Sequence, residues 1–141
     1  MKTGGFSFTM LIAWAWLELL RHDLTMKTRG FARVWSRLET TRTRAVCRRS
    51  DGGRAALEAI EWATTFYPKS VMCLQRSVVT ARILRKCGFP ANVAIGYRTA
   101  PFFSHAWVEI GDRVVNDERG YRQRLNILLR NRALSPAAGR G

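Results

Sequence analysis

The chain has 141 residues, enough for one domain with a real core, and 24 Lys+Arg against 10 Asp+Glu give a formal charge of +14. With 47% apolar and 11% aromatic residues, disordered, collagenous and low-complexity classes are excluded for most of it. All but four of the basic residues are arginines, so the surface should attract acidic peptides, polyanions or an anionic membrane.

Residues 6–39 read as helical. Phe6 to Leu20 is the most apolar run, but its 15 residues reach only about 22 Å as a helix, and it carries Glu18. A bilayer core needs about 30 Å. Lys2 precedes this run as in a signal peptide, yet Arg21, His22 and Asp23 follow it instead of a small-residue cleavage site. Met10, Leu11, Trp14 and Leu17 form one stripe, widened by Ile12, Trp16 and Leu19. Such a helix should dock on its own domain or on a partner, with membrane-surface contact through residues 6–20 as the alternative. Phe31, Val34, Trp35 and Leu38 continue the helical spacing.

Residues 40–53 are basic and end in a Gly pair, which reads as a linker or a loose helix. Between Lys27 and Arg54 nine basic residues face two acidic ones, half of the excess charge in one-fifth of the length. This is a solvated face or a docking surface for an acidic partner. The organisation expected is a basic helical extension over 1–53, a compact core over 54–134 and a disordered tail over 135–141.

In the core, Arg54 to Phe66 reads as a helix ended by Pro68, and Val71 to Lys86 as a second helix stopped by Gly88 and Pro90. Its apolar stripe is Val71, Leu74, Val78, Ala81 and Leu84. Asn92–Tyr97, Ser104–Ile110 and Arg113–Asn116 read as strands, the last two flanking Gly111-Asp112 as a hairpin. Leu125 to Leu134 reads as a terminal helix. The fold class is α+β.

Three cysteines, Cys47, Cys73 and Cys87, show no C-x-x-C spacing, which points to reduced thiols and a cytoplasmic protein. With His22 and His105 as the only histidines, no metal site and no cofactor are expected. Cys73 falls at the start of a helix, whose positive end favours the nucleophilic form of a thiol. His105 on one strand and Asp117 after the next complete the arrangement of thiol, imidazole and orienting carboxylate. By spacing alone the triple is weak, since Cys73 also reads as a small helix residue, His105 as a strand histidine and Asp117 as a turn carboxylate. Hairpin register decides whether it can assemble. A two-residue loop puts His105 and Asp117 on opposite faces; a three-residue loop, Ile110 to Asp112, pairs them directly. The second register also pairs Glu109 with Arg113 and Trp107 with Val115, so the sequence favours it by a few tenths of a kcal/mol.

The block Cys73-Leu-Gln-Arg-Ser77, the helix end Arg85-Lys-Cys-Gly88-Phe-Pro, then Ile95-Gly-Tyr, His105-Ala-Trp-Val-Glu109 and Val-Val-Asn-Asp117 resemble the transglutaminase-like cysteine peptidases of lasso-peptide biosynthesis, the leader peptidases of the microcin-type B proteins. The resemblance covers about residues 54–130. It implies a papain-like core in which the cysteine's helix packs on a small antiparallel sheet. Cys73 would then be the nucleophile, His105 the general base and acid, and Asp117 the orienting carboxylate. Gln75 follows the cysteine, where papain-like peptidases place their oxyanion glutamine before it, so the Cys73 backbone N–H is the first oxyanion candidate. Gln75, Arg76, Ser77 and Trp107 are candidates for substrate or oxyanion contacts, and Tyr97 for the groove wall. Cys47 and Cys87 match nothing in the family.

The implied reaction removes the leader from a ribosomally made precursor peptide. The implied partners are that precursor, a leader-recognition protein acting in trans, because nothing before residue 54 is strand-rich, and a cyclase that closes the freed peptide. No nucleic-acid partner is implied. The alternative function is a basic, non-catalytic module on a degenerate core that binds an acidic protein or nucleic acid.

Overall fold

A computed structural model of the chain describes residues 8–40, 52–111, 113–115 and 125–130. Four helices, α1 (Phe8–Thr28), α2 (Gly30–Thr40), α3 (Gly52–Thr65) and α4 (Cys73–Lys86), precede four strands: β1 (Ala91–Thr99), β2 (Phe102–Ile110), β3 (Arg113–Val114) and β4 (Asn126–Arg130). The sheet is antiparallel, in the order β3-β2-β1-β4. The α+β fold with the cysteine's helix on a small sheet is the one expected.

The helical region near the N-terminus is two helices, broken at Gly30, whose φ of 81° a side chain would resist. α1 is part of the main core. Leu11, Ala15 and Leu19 share one buried cluster with Ala59, Ile60 and Ala63 of α3 and Val78, Val79 and Ile83 of α4. The stripe read from the sequence is rotated from the true one, since Met10 and Leu17 are about half exposed (50% and 53%). The buried face runs Leu11, Ala15, Glu18, Leu19, His22, so two polar residues occupy positions that a search for apolar spacing skips.

α4 ends where Gly88 takes a φ of 97°, with the Phe89 N–H returning to the Leu84 carbonyl at 2.9 Å. The sheet covers α4 with one face only. Val93 and Val108 belong to the helical core; Ala94, Trp107 and Leu125 form a second cluster on the far face.

Two expectations are overturned. Leu125 to Leu134 was expected to be helical, yet Asn126–Arg130 is a strand on β1, with Tyr97 opposite Asn126 and Ala94 opposite Arg130. The open edge of β1 offers a ladder of backbone partners, and the Arg130 guanidinium meets the buried Glu109 carboxylate at 3.2 Å. The β2–β3 register is also the other one. Ile110 faces Arg113 and Glu109 faces Val114, as a two-residue loop requires. Gly111 supplies the left-handed φ of 62° such a turn favours, and Glu109 is held by Trp107 and Arg130 instead of Arg113.

Candidate active site

Cys73 opens α4. Met72 before it is extended (φ −80°, ψ 164°), and the Arg76 N–H closes the first turn onto the Met72 carbonyl at 2.9 Å. The first N–H groups of a helix have no partner within it and point toward whatever faces its start. Cys73 is a free thiol and half-buried, so it is reachable.

The segment that delivers Cys73 is fastened to α1. The Tyr67 hydroxyl donates to Asp23, Lys69 Nζ pairs with Asp23 at 3.0 Å, and the Trp16 indole N–H reaches the Phe66 carbonyl at 3.5 Å. Burial alone would raise the Asp23 carboxyl; hydrogen bonds from Tyr67 and Lys69, the Lys69 charge and the Gln75 amide outweigh it and hold it below the usual range. Burial first, then the hydrogen bond and charge of Asp23, push the Tyr67 phenol up to about 12.

The other members of the cysteine block face inward or sideways. Gln75 is buried and donates its amide N–H to the Leu19 carbonyl at 3.0 Å. Arg76 pairs with Glu61 of α3. Ser77 is fully buried, its hydroxyl without a partner among the described residues. Cys87 is half-buried and burial pushes its thiol up, against a nucleophilic role; Cys47 lies outside the described residues.

His105 sits in the middle of β2, opposite Gly96 of β1. A Cβ on Gly96 would come within 2.8 Å of the Trp107 ring and of Leu125, so only glycine lets that ring lie flat across the strand. The imidazole is half-buried between Phe103 and Trp107, with ring centroids at 6.1 and 6.4 Å. Trp107 is fully buried, and its indole N–H donates to Glu109 at 2.9 Å. This aromatic row is on the sheet face that α4 leaves uncovered. The His105 ring thus lies on the β2 face opposite Val108, which packs with α4, the helix that Cys73 opens. Asp117 lies outside the described residues. Tyr97 is half-buried on the helix-facing side of β1, away from the row.

Three features escaped sequence reasoning. The buried Glu18 meets Arg82 at 2.9 Å; Arg85 is fully buried; and Glu109 joins Trp107 to Arg130. A signal existed for two of them. Glu18 extends the spacing Leu11–Ala15, and Arg85 the spacing Val78–Ala81, so each is a charge on a buried stripe. Among the described residues, no three His, Cys, Asp or Glu side chains gather as metal ligands, and no helix is long and apolar enough to cross a membrane.

A family model described as the transglutaminase-like superfamily matches residues 16–130. The chain belongs to the transglutaminase-like superfamily. That match starts within α1, consistent with α1 packing into the same core as α3 and α4. Among characterised proteins the chain is similar to the microcin J25-processing protein McjB of Escherichia coli, 43% identical over 56 residues. The aligned stretch is 40% of this chain and 27% of McjB, so the chain spans about a quarter of that relative. No solved structure matches the chain significantly.

Proposed function

We propose that this transglutaminase-like protein is a cysteine peptidase that removes the leader from a ribosomally made lasso-peptide precursor. The observation that carries the reading is the place of Cys73, a reachable thiol on the first residue of a buried helix inside the family match. The similarity over 56 residues to a microcin-processing protein supports this choice of substrate class.

In this reading the Cys73 sulfur attacks the carbonyl carbon at the end of the leader. The Cys73 N–H and its first-turn neighbours stabilise the oxyanion. Collapse breaks the peptide bond and leaves a thioester, and His105 gives its proton to the departing amine. Water then hydrolyses the thioester and releases the leader. Asp117 orients the imidazole. A separate recognition protein delivers the leader, and a cyclase uses the freed amine. For this chemistry His105 must reach Cys73, which requires β2 to present it differently in the complex with peptide.

The opposite-face placement of His105 favours a second reading, a basic non-catalytic module that binds an acidic protein or nucleic acid. One experiment separates the two. Iodoacetamide labelling of the full chain is followed by mass spectrometry over a pH series, in the parent and in His105→Ala. A peptidase gives one fast-reacting thiol, Cys73, whose pH profile changes in the variant. Equal slow reaction of all three cysteines, unchanged by the variant, overturns the peptidase reading and leaves the binding module.

A further inference from the structure

Both carboxylates of α1 are turned inward. Glu18 is buried against Arg82 and Arg21, and Asp23 is held by Tyr67 and Lys69. The exposed charges of α1 and of the turn after it are all basic: Arg21, Lys27 and Arg29. Among them runs an apolar row. Ala13, Leu17, Leu20 and Leu24 recur every three or four residues and are exposed, on the side of the helix away from the buried Leu11, Ala15 and Leu19. At 1.5 Å per residue the row is about 16 Å long. α3 widens it. Trp62 and Phe66, one turn apart, are 51% and 65% exposed and stack on each other, with ring centroids 5.8 Å apart and planes at 13°. The Phe66 carbonyl accepts the Trp16 indole N–H, and Trp16 stands one turn before Leu20, so the aromatic pair borders the leucine row. Together these side chains leave several hundred Å² of apolar surface in water, the size at which a patch marks a docking surface.

We propose that this face of α1 and α3 docks on the surface of an anionic membrane. The leucines, Trp62 and Phe66 enter the boundary between headgroups and acyl chains, while Arg21, Lys27 and Arg29 lie among the anionic headgroups. Among the described residues no helix is long and apolar enough to cross a membrane, so the contact is interfacial. Charge and shape choose this occupant. The chain carries +14, so a second copy would bring like charge to the same face. A nucleic acid would use the basic residues but leave the leucines in water. The apolar surface is spread over the outer sides of two helices with an aromatic pair at its border, which suits a broad interface better than one helix laid in a groove. Glu58, an exposed carboxylate one turn before Trp62, weakens the attraction at that border.

The test is flotation of the full chain with phosphatidylcholine vesicles, with and without about 30% phosphatidylglycerol. The parent should bind the anionic vesicles at least about tenfold more tightly than the neutral ones. Part of that binding should persist at about 0.5 M salt, where charge is screened and apolar contact remains. Leu17→Ser combined with Leu24→Ser, and separately Trp62→Ser, should each weaken binding several-fold. Glu58→Lys should strengthen it several-fold. Thermal melts establish that each variant is folded, and the α3 variants decide if the α1 variant is not. A parent that does not float, that floats equally with neutral vesicles, or whose folded variants all float as it does overturns the proposal. So does a parent that sediments as a dimer and becomes a monomer on Leu17→Ser with Leu24→Ser, which would give the face to a second copy. Vesicle binding involves no cleavage, so its failure leaves the peptidase reading standing, and failure of cleavage leaves this one standing.

Discussion

Gln75, two residues past Cys73, donates its buried side-chain amide to the Leu19 main-chain carbonyl at 3.0 Å. The helix that Cys73 opens is thereby tied to a helix more than fifty residues earlier. Asp23, held by Tyr67 and Lys69, secures the segment in between. α1 is a positioning element for Cys73 as well as part of the core. Deleting residues 1–20 should therefore abolish the cooperative thermal transition seen by circular dichroism, since it removes Leu11 and Leu19, worth roughly 1.5–3 kcal/mol each. Gln75→Ala should cost about 1 kcal/mol by removing the buried hydrogen bond that ties α4 to α1. A truncated chain that melts like the parent would show that α1 is dispensable.

The catalytic assignments predict a graded series. Cys73→Ala should abolish leader cleavage, read by mass spectrometry with the recognition protein present, while the fold survives. His105→Ala should do likewise. Asp117→Asn should lose less, because it misorients the imidazole without removing it. Full-rate cleavage by Cys73→Ala would end the assignment.

Arg85 is the largest structural charge in the core. Its Nε donates to the Ala91 carbonyl at 2.8 Å and Nη1 to the Leu38 carbonyl, so one side chain joins α4 to the end of α2 and the start of β1. Burial, then the charge of Arg82, lowers its pKa to about 10. Arg85→Ala should destabilise by about 3–5 kcal/mol, because two buried carbonyls lose charged donors and a cavity opens. Urea denaturation measures this directly. A loss below about 1 kcal/mol would show that the clamp contributes little.

His22 gives the pH dependence. Desolvation lowers its pKa below 6.5, and the opposing Asp23 charge, which raises it, does not restore it; Lys69 adds to the lowering. The folded state thus binds the proton less readily than the unfolded one, and stability should fall as pH drops from about 6.5 toward the folded value. Asp23, also lowered in the fold, adds a second loss as pH drops below 3.8. Urea midpoints taken between about pH 7.5 and 5 should show the first loss in the parent, and a flatter profile in His22→Leu. Parallel profiles would remove His22 as the cause.

The helical region over 6–39, the helices α3 and α4 and the hairpin were legible because apolar spacing and the punctuation of Pro68, Gly88 and Gly111 report on local structure, whereas the break into α1 and α2 at Gly30 was not. What the sequence misreported was set by distant partners. Asn126–Arg130 carries no strand signal until β1 and Glu109 are placed beside it. The hairpin register turned on where Glu109 finds its charge partner, and that is Arg130 rather than Arg113. The face of α1 was misjudged because Glu18 and His22 are buried with it. Cys73 was placed at its helix start by pattern alone, whereas the side of the sheet that His105 takes follows from packing around Trp107 and Gly96.

β4 has a practical consequence for anyone handling this protein. It forms one margin of the sheet, and Ile127, Leu128 and Leu129 are 39%, 59% and 37% exposed. A short, partly exposed apolar strand at the margin of the sheet formed by the described residues is a template onto which another molecule's strand can add, and molecules joined this way accumulate as the solution is concentrated. Light scattering should therefore rise with protein concentration even at neutral pH. A lysine in place of Leu128 should suppress that rise without disturbing the Arg130–Glu109 pair, giving a sample that stays dispersed at the concentrations crystallisation and NMR require.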